Sequence, residues 1–151
     1  VYDRAITIYF ENINDKFDVK EDVKTINLSN SKLQELYANA LTVKDNQMTK
    51  EDLDKFKVIT DYIYKTFDVT FGNRIMNQIN TIVPIFVACG GSKEDAIDLT
   101  LSRKLLVKLE GHFEEYVKSG LKKLLDLMAK TYGEGRLQYS ERIITNLLRK
   151  L

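Results

Sequence analysis
"SKEDAIDLTLSRKLLVKLEG", Ser92 to Gly111, is the stretch on which the fold turns. Its opening Ser92 has Asp95 three residues on. That is the capping-box arrangement, in which a hydroxyl and a carboxylate satisfy each other's backbone N–H groups at a helix start. Gly111 supplies the stop. Between them Ile97, Leu99, Leu101, Leu105, Leu106, Val107 and Leu109 do not keep to one stripe but spread around much of the helix. A helix that is apolar on several sides has to be packed on several sides. The spacing therefore predicts a helix over 92–111 at the centre of a mainly α bundle.

The neighbouring stretches agree. Upstream, "SKLQELYANAL" offers Ser31 as N-cap with Gln34 as box partner, and Leu33, Leu36, Tyr37 and Leu41 as an apolar face. "TKEDLDKFKVITDYIYKTF" starts again at Thr49 with Asp52, and Leu53, Phe56, Ile59, Ile63 and Phe67 form its stripe. A third helix is predicted from about Asn73 to Cys89. Ile75, Met76, Ile79, Ile82, Val83, Phe86 and Val87 recur on it at helical spacing. Pro84 should kink or split it, and Gly90–Gly91 stops it. Cys89, at the end of that stripe, reads as a small buried hydrophobe. Downstream, Phe113 to Lys130 carries Tyr116, Val117, Leu121, Leu124, Leu125 and Met128 on one face. "YSERIITNLLRKL" closes the set, capped by Ser140, with Ile144, Leu147, Leu148 and Leu151 as its stripe. About five or six helices result. With one proline and seven glycines in 151 residues, little interrupts them.

The N-terminal part has a different character. "RAITIYF" sets Ile6, Ile8 and Phe10 against Ala5, Thr7 and Tyr9, so both alternating rows are largely apolar. That pattern suits a strand covered on both faces. Only "KTINL", Lys24 to Leu28, could be a partner, and a buried strand needs neighbours on both edges. The reading is of one orphan β-strand from a truncated α/β core. Residues 1–30 would be the edge of that core and residues 31–151 a separate helical domain.

Composition narrows the chemistry. At 44% hydrophobic the chain can bury a core, and its net charge of +1 selects no nucleic acid or membrane surface. Residues 1–70 hold 10 basic and 13 acidic groups and residues 71–151 hold 13 and 9, an asymmetry too small for a nucleic-acid footprint. Lys118, Lys122, Lys123 and Lys130 make only a modest basic face. One cysteine excludes an internal disulfide and suits a cytoplasmic setting. No apolar run reaches the ~18 residues of a membrane span. His112 is the sole histidine, so no histidine metal set or triad can form, and a solvated or capping role at a helix end is expected. No phosphate loop of the G-x-x-x-x-G-K-[ST] kind is present, and no strand ends in an acidic pair that could hold Mg²⁺. No metal site and no enzymatic activity is expected of the chain itself.

Arg74 asks for an explanation. It falls in the first turn of the predicted third helix, where the positive end of the macrodipole disfavours a cation. Either it is an exposed side chain tolerating a few tenths of a kcal/mol, or an anion belongs beside it.

Three stretches together resemble one family. "VYDRAITIYFENI" is similar to the last core strand of AAA+ NTPases of the McrB-like branch, the nucleotide-hydrolysing motor subunits of modification-dependent restriction systems. Asp3, Arg4, Phe10 and Glu11 carry that likeness. "FGNRIMNQI" followed by "AIDLTLSRKLLVKLEG" resembles the helical lid subdomain, through Asp98, Lys104 to Leu109 and Gly111. "YSERIITNLLRKL" resembles the closing helix. Residues 12–70 contribute little, and Val107 stands where the family pattern has proline. The resemblance implies a C-terminal lid fragment, inert alone, of a motor using ATP or GTP with Mg²⁺. Its expected partners are its own upstream NTPase core, neighbouring subunits of a ring oligomer and a nuclease subunit. It implies a γ-phosphate sensor role for Arg74 and an arginine-finger or sensor role for Arg4. Asp98 and Lys104 are expected to make structural pairs within the lid. The other reading, of a different class, is a free-standing helical adaptor or regulatory domain that binds protein through an exposed stripe.

Overall fold
The computed structural model describes residues 25–69, 72–110 and 115–151. The expected strand at Ala5–Phe10, Arg4, Gly111 and His112 lie outside the described residues. Six α-helices follow in order: α1 (Asn30–Thr42), α2 (Lys50–Phe67), α3 (Asn73–Ala88), α4 (Lys93–Thr100), α5 (Glu115–Tyr132) and α6 (Gln138–Lys150). The described residues contain no β-strand. Thr25 to Ser29 have no regular structure, with Ile26 84% exposed.

The predicted caps fix two of the helix starts. Thr49 accepts from the Asp52 N–H at 3.1 Å, and the Asp52 carboxylate accepts from the Thr49 N–H at 2.8 Å. Ser92 and Asp95 repeat the box at α4. At α1 the cap is Ser29, not Ser31, with its hydroxyl accepting from the Lys32 N–H. Both serines precede helical sequence, and the earlier one gives a longer helix. α3 runs unbroken through Pro84, which is buried. The missing N–H is one bond in sixteen residues of well-packed helix. At the end of α3, Gly90 takes φ +92°, and the Gly91 N–H returns to the Phe86 carbonyl. Gly91 is constrained by space instead: a Cβ there would sit 2.2 Å from the Phe86 ring. Cys89 lies in this turn, beyond the helix, and is exposed rather than buried.

The stretch 92–111 is central, as its apolar spread predicts, but it is not one α-helix. α4 ends at Thr100, Leu101–Leu105 form a π turn, and Leu106–Leu109 form a 3-10 turn. The wider π turn rotates side chains out of the α register, and every residue from Thr100 to Val107 is buried. The core is built around it. Phe56, Ile59 and Ile63 of α2, Ile79 of α3, Leu121 and Leu124 of α5 and Ile144 of α6 are all fully buried against the same cluster as Leu101, Leu105 and Leu106. α3 packs on α4, α2 packs on α5, and α6 closes over α4, α5 and the π turn. Where α2 and α5 cross, Gly120 lets them approach closely, and the Tyr62 hydroxyl donates to the Gly120 carbonyl at 3.0 Å.

α1 contributes nothing to this core cluster. It touches α3 and the 3-10 turn Lys44–Asn46, and Ala40 is its only buried residue. Leu36, Tyr37 and Leu41, expected as its packed face, are 45, 45 and 37% exposed.

Candidate functional site
α3 is held by Ile75, Ile79 and Val83, all buried on its inner side. That anchoring sets the angular position of everything else on the helix. Arg74, one residue before Ile75, is turned outward and exposed. It stands in the first turn, as expected. The turn takes no side-chain cap, because the N-cap is Gly72, and it contains no acidic residue. α2 and α4, by contrast, each begin on a capping box with two carboxylates in the first turn. The start of α3 therefore carries a guanidinium, which has an interaction partner of its own, beside the positive end of the helix dipole. Arg74, Asn77, Gln78, Thr81 and Ile82 line an open groove of about 530 Å³ along this face. Its polar members can donate and accept hydrogen bonds as well as carry charge. On the other side of the same helix start, Gly72, Asn73 and Met76 share a groove of about 340 Å³ with Asp54, Lys57 and Asp61 of α2. The field there is mixed, so the anion-favouring surface is the Arg74 side.

A second constellation lies inside. Asp98, on α4, is buried, and its two carboxylate oxygens accept from the backbone N–H groups of Tyr139 and Ser140, each at 2.8 Å. These are first-turn amides of α6, whose own N-cap residue is Leu137 and offers no side-chain bond. Asp98 thus caps α6 from another helix. Ser140, expected to be that cap, sits inside the helix, and its hydroxyl donates to the Asp98 carbonyl at 3.4 Å. Burial pushes the Asp98 carboxyl above the usual carboxylate range, against the opposing pull of the bonds from Ser140 and Tyr139. The structural role expected of Asp98 is what the geometry displays. No local spacing announces this partner, because the cap is supplied across 42 residues.

Arg103 and Lys104 are the surprise. Two adjacent cations in the π turn are only 9 and 7% exposed. Each has interaction partners. Charged groups are taken out of water only where such partners exist. Sequence reasoning singled out Lys104 through the family pattern and passed over Arg103, since a charged residue on an assumed α-helix reads as solvated. The π turn is the feature that brings both inside, and nothing in propensity announces it.

A further buried polar group is the Tyr132 hydroxyl, which finds no hydrogen-bond partner. Burial drives it far above the ordinary phenol range, with added repulsion from Asp52 and Glu94. Nearby, Lys93 of α4 reaches Asp52 of α2 at 3.6 Å, tying the two capping boxes together.

Among the described residues no group of histidine, cysteine and carboxylate side chains is placed to hold a metal ion. No helix among them is long and apolar enough to cross a membrane. The structure brings Arg74 to an exposed helix start, and it does not bear on Arg4. No curated protein and no solved structure matches the chain. One family model does, described as Domain of unknown function (DUF8727), and it matches residues 18–151. With that match covering most of its length, the chain belongs to this family.

Proposed function
We propose that the chain is the helical lid of an AAA+ NTPase of the McrB-like kind, contributing nucleotide sensing and lid movement to a longer protein. The observation that carries the reading is Arg74. It is an exposed guanidinium in the first turn of a helix whose cap is a glycine and whose first turn holds no carboxylate. Such a donor set fits a terminal phosphate: the planar guanidinium can grip two oxygens while the helix end adds its dipole. Magnesium-bound ATP or GTP would supply the cleavable phosphoanhydride. Arg74 would bind and orient its outermost phosphate, so that loss of that phosphate releases the lid. The rigid core beneath α3 would transmit the change as a hinge movement, because Ile75, Ile79 and Val83 fix the helix to the bundle. The expected partners remain an upstream NTPase core, neighbouring ring subunits and a nuclease subunit. Arg4 is retained as arginine finger or sensor.

The experiment is Arg74→Ala in the complete natural polypeptide, with ATP and GTP hydrolysis and nucleotide affinity measured beside the unaltered protein. Weakened triphosphate binding or hydrolysis with an unchanged melting profile supports the reading. Unchanged binding and hydrolysis removes it.

A second reading has its own observation. α1 leaves Leu36, Tyr37 and Leu41 in solvent, as a helical adaptor that docks protein through an exposed stripe would. Under that reading Arg74→Ala has no effect on any nucleotide measurement, and changes on α1 abolish binding of the partner protein.

A further inference from the structure
No further inference is drawn: the strongest candidate, the exposed apolar face of α1 formed by Leu36, Tyr37 and Leu41, carries none, because nothing in the described residues shows what covers it.

Discussion

Asp98 carries a helix that it is not part of. Removing its carboxylate leaves the buried Ser140 N–H and the part-buried Tyr139 N–H without acceptors. Asp98→Ala should therefore cost about 2–3 kcal/mol by urea denaturation, with Asp98→Asn between, since an amide offers one acceptor in place of two. Tyr132 predicts the opposite sign. Its hydroxyl is buried without a partner, so Tyr132→Phe should be neutral or stabilising by about 1 kcal/mol. Asp52 gives the pH dependence. Partial burial pushes its carboxyl up, but the Thr49 N–H and hydroxyl and Lys93 outweigh that and hold it below the usual 3.8. A depressed folded pKa means stability that is present above the unfolded value and lost as pH falls through the folded one. Asp52→Asn should cost roughly 0.5–2 kcal/mol at neutral pH. Unfolding measured at a series of pH values should show that difference shrinking as pH falls below the ordinary 3.8 and through the lower folded value. Asp98, held above its usual range, works in the opposite sense, so the quantity to read is the difference between the two proteins at each pH. At this scale the sequence was partly legible. Both capping boxes were written in local spacing. The capping of α6 by Asp98 and the burial of Arg103 were not, because each depends on residues far apart in the chain or on a non-α turn.

Among the elements, the crossing of α2 and α5 makes a sharp prediction. A glycine inside a helix normally gains about 1 kcal/mol of stability on change to alanine. Gly120 should not. A Cβ there would stand 2.8 Å from Thr66 Cγ2 and 2.9 Å from Phe67 Cε1. Gly120→Ala should lose about 1–3 kcal/mol as the two helices are forced apart, read as a lowered Tm. The helices themselves were legible because their apolar residues recur at 3.6 spacing; Ile75, Ile79 and Val83 point inward as that period requires. Two elements departed from the reading for physical reasons. The 92–111 helix has apolar residues on too many sides for one α stripe, and the π turn is how the chain buries them all. α1 shows the periodicity of a packed helix, yet pattern alone does not say whether the partner surface is supplied by the bundle. Here the bundle leaves Leu36, Tyr37 and Leu41 exposed.

As a whole, the molecule is an α bundle in its described residues, organised about the irregular segment 101–109, with a guanidinium standing at the open start of α3. The mainly α class was legible from helix caps, glycine stops and the near absence of proline. The site was legible in position only. Local physics placed Arg74 in a first turn and exposed, and the phosphate role comes from the family resemblance. A structural ion-pair role for Arg74 predicts a different outcome from a sensor role, and melting of the chain separates them. With a sensor, Arg74→Ala leaves stability within about 1 kcal/mol, because relief of dipole repulsion is worth only ~0.3–1 kcal/mol. The most direct measurement is the ratio of triphosphate to diphosphate affinity in the complete natural polypeptide, with and without Arg74→Ala. Loss of a charge-assisted bond of ~1.5–3 kcal/mol predicts that the preference for triphosphate falls roughly tenfold to a hundredfold. A ratio that Arg74→Ala leaves unchanged would contradict the account.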